Sequence, residues 1–227
     1  SEVGADYSYS IDDTNGGTSA VTGSGTIATA TDQISGIDVS GLDDGTLTLT
    51  VYLTDSNGNQ GSNTTDTVVK DTVSPSGYSV SIDQSVINSS NKTALSFTFA
   101  GAEVGTDYAY TISDGSGTVT GSGTISTATD QISRIDVSGL GDGTLNLSVT
   151  LTDAAGNAGP AATDSVTKDA TAPSGYSVSI DQSAVTAANE GSVSFTFASA
   201  EVGADYSYSI DDTNGGTSAV TGSGSIS

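Results

Sequence analysis

The side chains of this 227-residue chain that could do chemistry are almost all carboxylates. The chain has 27 acidic residues, four of them Glu and the other 23 Asp, whereas Lys and Arg together number four. Because His and Cys are absent, a Ser–His–Asp site, a thiol nucleophile and an ordinary zinc site are excluded. Two chemistries remain for these carboxylates: acid–base catalysis by a pair, and binding of a hard cation through oxygen ligands.

The adjacent carboxylates do not favour catalysis. Neighbouring side chains on an extended chain point apart, and nothing apolar nearby would raise the pKa of one partner. This holds for the three adjacent pairs, Asp12–Asp13, Asp43–Asp44 and Asp211–Asp212. We therefore expect no enzyme activity. The net charge of -23 argues against nucleic acid and anionic lipid as partners, and no apolar run is long enough for membrane insertion.

The chain repeats itself at a spacing of 98 residues. TDQISGIDVSGLDDGTLTLTVYLTDSNGN at 31–59 returns as TDQISRIDVSGLGDGTLNLSVTLTDAAGN at 129–157, with 22 of 29 positions identical. Residues 2–25 recur letter for letter at 201–224, and the middle copy is three residues shorter in one loop. Such a period is too long for solenoid or propeller repeats and fits one small all-β domain.

Apolar residues alternate with polar ones throughout each copy, which is the period of half-buried strands. The clearest run is Leu145, Leu147, Val149 and Leu151. Seven such strands in about 98 residues predict an all-β fold of tandem immunoglobulin- or fibronectin-like seven-strand β-sandwiches. Tyr7, Tyr9, Tyr108 and Tyr110 alternate on one strand face, where core packing explains them better than a sugar-stacking platform does.

These copies predict three segments. Residues 1–70 form an incomplete repeat that lacks its first two strands, residues 71–168 form a complete repeat, and residues 169–227 form an incomplete repeat that lacks its last two. Because the first and last repeats are incomplete, we expect the chain to be part of a longer array of repeats. The alternative, in which the end segments of neighbouring copies complete each other, would have to expel a duplicated stretch.

The order of linker KDTVSPSG, strand YSVSID, turn GLGDGTL, strand NLSVTLTD and loop DAAGN resembles bacterial Ig-like repeats. These occur in tandem in giant surface adhesins, including calcium-binding adhesins of type I secretion and gliding-motility adhesins of Bacteroidetes. The resemblance covers the entire chain. It implies secreted, extracellular stalks at the bacterial cell surface, with roles in adhesion and biofilms and often with calcium at domain junctions.

In a seven-strand Greek key, the loops 100–107 and 152–157 and the incoming linker share one end of the sandwich, which we call the entry pole. Oxygen-bearing side chains converge there, and calcium takes six to eight oxygen ligands. The candidate calcium ligands of the middle repeat are Asp71, Glu103, Asp107, Asp153 and Asn157; those of the first are Glu2, Asp6, Asp55 and Asn59; those of the third are Asp169, Glu201 and Asp205. Alternatively, the Asp and Asn residues only initiate turns.

Two further alternatives concern other residues. Lys70 and Lys168 precede the linkers, so an isopeptide crosslink to a neighbouring Asp or Asn has to be considered. The loop from Asp12 to Ala20 carries the three-residue difference, and loops are where binding residues concentrate. The function expected from the sequence is a structural spacer in the stalk of a very large adhesin, in contact with neighbouring repeats. The alternative is an adhesive module that contacts a surface glycan or protein through exposed loops.

Overall fold

A computed structural model describes residues 2–215 and 217–227. The described residues form fifteen β-strands and no helix, so no helix that could span a membrane is present among them. The first segment contains β1 (Asp6–Asp13), β2 (Val21–Thr26), β3 (Gly45–Thr54) and β4 (Thr64–Lys70). The middle segment contains β5 (Ser79–Ile82), β6 (Leu95–Ala100), β7 (Asp107–Ser113), β8 (Thr118–Thr124), β9 (Gln131–Ile135), β10 (Gly143–Thr152) and β11 (Ala162–Lys168). The third contains β12 (Ser177–Ile180), β13 (Phe195–Ala198), β14 (Asp205–Ile210) and β15 (Val220–Ser225).

The seven strands of the middle segment form two antiparallel sheets. One has the strand order β11-β10-β7-β8 and the other β5-β6-β9. The apolar side chains of both inner faces meet in one buried core, which includes Phe97, Phe99, Leu145, Leu147, Val149 and Leu151. Every second residue of β10 from Leu145 to Leu151 belongs to this core because strand side chains alternate between faces. The all-β class predicted from the sequence is confirmed.

The tyrosines of β7 belong to this core. Tyr108 and Tyr110 lie against Phe99 and Phe97, with ring centroids 5.9 and 5.4 Å apart. On the other side each ring lies across a glycine of β8, since Tyr108 pairs with Gly123 and Tyr110 with Gly121. A Cβ atom at Gly121 would lie 2.5 Å from the Tyr110 ring, so a glycine is required for the ring to fit there. Core packing therefore accounts for these tyrosines.

The first segment has only the larger sheet, in the order β2-β1-β3-β4. Residues 33–37 match β9 at a distance of 98 but form no strand. In the middle segment β9 pairs with β6, and the described part of the first segment has no strand equivalent to β6. A strand needs a partner for its backbone hydrogen bonds, so the same residues stay irregular here.

The third segment forms two hairpins, β12–β13 and β14–β15. They match β5, β6, β7 and β8, so equivalents of β9, β10 and β11 are missing from its described residues. The expectation that only the last two strands are missing is therefore wrong by one strand. Ser227 aligns with Ser126, which precedes β9. The boundaries of the three segments themselves stay a prediction.

Candidate functional site: the junctions between repeats

Hydrogen bonds at the entry pole of the middle repeat join three of its five candidate ligands. The Asn157 Nδ2 atom donates to the backbone carbonyl of Asp71 (3.1 Å) and to the Asp153 carboxylate (2.9 Å). Asp107 lies nearby, because it pairs with Thr152 where β7 begins and β10 ends. Loop 152–157, the linker and the start of β7 therefore meet at one end of the sandwich.

The carboxylate of Asp153 is occupied within its own loop. It accepts hydrogen bonds from the backbone N–H groups of Ala155 (2.9 Å) and Asn157 (2.8 Å) as well as from the Asn157 side chain. These bonds, that of the Asn157 side chain foremost, lower the pKa of Asp153 and keep it ionised. Asp55 and Asn59 make the same pattern in the first segment, and the pKa of Asp55 is lowered for the same reason.

The remaining candidate ligands serve turns and strand pairs. Asp107 accepts a hydrogen bond from Thr124 (2.8 Å) on the neighbouring strand, and Asp6 and Asp205 accept equivalent bonds from Thr26 (2.8 Å) and Ser225 (2.6 Å). The carboxylates of Asp71 and Asp169 accept from backbone N–H groups two residues ahead. Glu2, Glu103 and Glu201 contribute backbone carbonyls that close turns.

The hydrogen-bonded side chains of this pole do not form a ready-made calcium shell. Among the described residues, no group of three or more acidic side chains stands close enough to hold a metal ion. Asn157 directs its amide nitrogen, which cannot be a calcium ligand, at both Asp71 and Asp153. An ion at this pole would have to replace these hydrogen bonds, so the calcium site stays a prediction.

The opposite end of the middle repeat, its exit pole, carries an ion pair that the sequence did not predict. Lys168 is 4% exposed, and its ammonium group donates to the Leu140 carbonyl (2.5 Å) and to Asp142 Oδ1 (3.1 Å). Asp142 also accepts hydrogen bonds from the linker, namely the Thr171 hydroxyl (2.5 Å) and the Ala170 backbone N–H (3.0 Å). The Thr171 bond is the largest cause that lowers the pKa of Asp142, to about 2. We call this arrangement the linker clamp.

The linker clamp recurs in the first segment. Asp44 accepts hydrogen bonds from the Thr72 backbone N–H (2.8 Å) and hydroxyl (2.9 Å), and the Lys70 ammonium stands 3.8 Å from its carboxylate. Lys70 also donates to the Leu42 carbonyl. The backbone bond from Thr72 is the main cause of the lowered pKa of Asp44. Thr72 supplies the hydroxyl at this linker, whereas Thr171, one position after the residue equivalent to Thr72, supplies it at the next. The clamp therefore forms at both linkers although their sequences differ.

These geometries answer two expectations about carboxylate chemistry. An isopeptide bond between Lys168 and Asp142 forms with loss of water from a protonated carboxyl group. The lowered pKa of Asp142 keeps that group ionised, and it forms an ion pair with the Lys168 ammonium instead. A general acid needs a raised pKa, whereas hydrogen bonds from Thr18 and from the Asp43 backbone lower that of Asp13. Asp13 and Asp142 act here as hydrogen-bond acceptors, and the absence of a crosslink and of enzyme activity stays a prediction.

A further carboxylate shapes the exit pole from within. Asp114 accepts from the backbone N–H groups of Ser116 (2.7 Å), Gly117 (2.6 Å) and Gly141 (2.5 Å), and these bonds, that of Gly117 foremost, lower its pKa to about 2. It thereby ties the β7–β8 loop to the turn that carries Asp142. Asp13 does the same in the first segment through the backbone of Asp43 (3.1 Å). The linker clamp therefore stands on a turn that is itself held in place.

The linker is also fixed to the repeat that follows it. The Tyr78 hydroxyl donates to the Pro160 carbonyl and accepts from the Leu151 backbone N–H (3.0 Å). Asn157 holds the carbonyl of Asp71, as described above. The linker 71–78 is therefore hydrogen-bonded to the first segment through Thr72 and to the middle repeat through Asp71 and Tyr78.

No protein-family model matches the chain, and no curated protein matches it. Among solved structures, it is similar to a tetra-tandem repeat in the extending region of a large adhesion protein, at 26% identity and a TM-score of 0.40 over 99% of this chain. The chain is similar to tandem repeats of large adhesins. It spans about half the length of that structure, 56%.

Two further similar structures are adhesins. One is a Ca²⁺-stabilized adhesin that helps an Antarctic bacterium reach out and bind ice, at 19% identity, a TM-score of 0.40 and coverage of 99% of this chain and 65% of that one. The other belongs to a 1.5-MDa bacterial ice-binding adhesin, at 22% identity, a TM-score of 0.41 and coverage of 97% and 73%. The two-sheet sandwich of the middle repeat is defined by the strand pairing within this chain.

Proposed function

We propose that this chain is a run of spacer repeats in the stalk of a very large bacterial adhesin, outside the cell and at its surface. The observation that carries the proposal is the linker clamp, which recurs at Asp44 and Asp142, 98 residues apart. A binding head needs one special loop, whereas a spacer needs the same junction at every repeat. This chain repeats its junction.

The clamp restricts the linker where free rotation would otherwise bend the array. Each linker has one proline, Pro75 or Pro173, which fixes its own φ and restricts the residue before it. The clamp adds hydrogen bonds from the preceding repeat at both linkers, and at the first linker Asn157 and Tyr78 add bonds from the following repeat. At the first linker the clamp, Pro75, Asn157 and Tyr78 give four fixed points within residues 71–78, which leaves few backbone torsions free.

The composition suits an extended stalk. The net charge of -23 makes neighbouring repeats repel one another, which favours separation along the array over folding back. The calcium predicted at the entry poles would neutralise part of this repulsion and stiffen the junction further. The hydrogen bonds around Asp71, Asp153 and Asn157 make a junction that needs no ion to close.

Spin labels test the rigidity of the first junction directly. The chain has no cysteine, so the exposed, equivalent positions Ser24 and Ser122 can each be replaced by a labelled cysteine. Pulsed dipolar spectroscopy then gives the distribution of distances between the two labels. We expect a narrow distribution that Asp44→Ala broadens.

The matched control is Asp66→Ala, because among the described residues the Asp66 carboxylate accepts a hydrogen bond from the Thr67 backbone N–H alone. It should leave the distribution narrow. A broad distribution in the unaltered chain, or no broadening in Asp44→Ala, would contradict a clamped junction.

A further inference from the structure

The chain enters and leaves the middle repeat at opposite poles. It enters beside Asn157, which holds the Asp71 carbonyl, and leaves beside Asp142, which holds the Thr171 hydroxyl. β10 runs from the exit pole to the entry pole, and β11 runs back beside it. A pull along the array therefore draws the first stretch of the repeat, residues 78–87, toward the entry pole and draws β11 toward the exit pole.

The first stretch and β11 are neighbours that run in the same direction. Ile87 forms a parallel bridge with Lys168, in which the Ile87 backbone N–H donates to the Thr167 carbonyl (2.9 Å). The Ile87 carbonyl in turn accepts from the Asp169 backbone N–H (2.8 Å). Because Ile87 is 0% exposed, water cannot replace these two bonds until the stretch has moved.

Two further contacts join the first stretch to the C-terminal part of the repeat. The Ile82 backbone N–H donates to the Asp164 carboxylate of β11 (2.7 Å). The Tyr78 hydroxyl donates to the carbonyl of Pro160, just before β11. We call the three contacts, at Tyr78, Ile82 and Ile87, the terminal seam.

We propose that the terminal seam makes the middle repeat a load-bearing unit that resists tension applied through its two linkers. Under such tension the two stretches are pulled in opposite directions along their shared axis. All contacts of the seam are then loaded at once and must break nearly together. In a hairpin that is opened from its end, by contrast, each contact is loaded and broken alone, so a smaller force suffices.

The core adds to this resistance. The seam extends over residues 78–87 on one side and 160–169 on the other, from one pole to the opposite one. The side chains of Ile82 and Ile87 belong to the buried core. Sliding of the first stretch therefore also withdraws apolar side chains from the core, which is unfavourable in water.

The residues of the seam recur in the sequences of the incomplete segments. The matching residues, at a spacing of 98, are Tyr176, Ile180, Val185 and Asp66. A stalk under tension needs the same resistance in every repeat, since the weakest repeat unfolds first. The role in a stalk rests on the proposed function, whereas the resistance itself is a property of the middle repeat.

Single-molecule pulling tests the seam by loading the same contacts in two directions. The chain has no cysteine, so handles can be attached at introduced ones. Ser76→Cys/Ser174→Cys, at exposed positions in the two linkers, loads the seam along its length. Ser76→Cys/Ala161→Cys, with both exposed positions at the entry pole, opens the seam from its Tyr78 end, one contact after another.

At the same constant force, we expect the repeat to unfold at least about fivefold more slowly when it is pulled through the two linkers. This factor corresponds to two additional ordinary hydrogen bonds that break in the same step, taken at the low end of their strength. Equal unfolding rates in the two directions would overturn the proposal. This comparison needs no change to the seam itself.

A variant tests one contact of the seam. Asp164→Ala removes the acceptor of the Ile82 bond and should speed unfolding through the two linkers about tenfold, the factor for one hydrogen bond to a charged group. The matched control is Asp130→Ala, whose carboxylate likewise accepts from a backbone N–H, that of Ser126 (2.6 Å), but within one loop. The control should leave the rate under force unchanged, because this loop is still folded when the seam breaks.

An effect of Asp164→Ala no larger than that of the control would refute the load assigned to the seam. The outcome is separate from that of the spin-label experiment. A broad distance distribution there would refute the stiff spacer, whereas the unfolding rates under force depend only on contacts within the middle repeat.

Discussion

Lys168→Met removes the ammonium group of the second linker clamp and keeps an unbranched apolar side chain in its place. The Lys168 side chain is 4% exposed, and its ammonium bonds both the Leu140 carbonyl and Asp142. Hydrogen bonds that involve a charged group contribute about 1.5–3 kcal/mol each. Asp142 keeps its hydrogen bonds from Thr171 and Ala170 when the ammonium is gone, so we count only the bond to the Leu140 carbonyl and expect a loss of about 1.5–3 kcal/mol in the free energy of unfolding of the middle repeat.

A domain of about 100 residues loses roughly 4–8 °C of Tm for each kcal/mol, so the middle repeat should melt at least about 6 °C lower. Differential scanning calorimetry of the whole chain measures this shift in the transition of the middle repeat, whose two sheets enclose a complete core. Lys92→Met is the control, since Lys92 forms no ion pair among the described residues. A shift no larger than that of the control would refute the role assigned to the buried ammonium.

Three further outcomes are expected. Gly121→Ala should destabilise the middle repeat by about 1–3 kcal/mol by pushing on Tyr110, whereas Gly139→Ala, which meets no atom within 4 Å, should not; equal denaturant midpoints would contradict this. Asp142→Asn should be less stable than the parent at pH 6 and equally stable near pH 2. The lowered pKa of Asp142 stabilises the fold above about pH 4, and this stabilisation is lost as pH falls through about 2. A difference in stability that does not change with pH would contradict this. If calcium binds at the entry pole with a dissociation constant of about 10⁻⁴–10⁻³ M, Asp153→Ala should weaken binding more than Asp114→Ala, since Asp114 lies at the exit pole. Calorimetry measures both affinities, and equal values would refute the placement.

The fold class could be predicted because it depends on local alternation. The period-two run in β10 is visible in the letters and forms one wall of the core. Whether an alternating run of residues becomes a strand also depends on a neighbouring strand to pair with, and residues 33–37 show this. These match β9 almost letter for letter yet stay irregular where no equivalent of β6 is described.

The candidate site could be predicted only in part. The topology placed Asp71, Asp153 and Asn157 at one pole, but letters do not show that the Asp153 carboxylate is taken up by its own loop. The linker clamp was missed because Asp142 and Lys168 stand 26 residues apart in sequence and belong to a turn and a strand end. A signal existed, since an Asp and a Lys recur at the same separation in Asp44 and Lys70.

The central claim is that these repeats act as a stiff spacer, and small-angle X-ray scattering tests it most directly. The chain is compared with versions that carry one, two and three additional copies of residues 71–168 in frame. A clamped array predicts that the maximum dimension grows by a constant step for each copy. That step should be at least about 33 Å, the length of the ten-residue strand β10 at about 3.3 Å per residue. Steps that shrink as copies are added, as in a chain of freely jointed domains, would contradict the account.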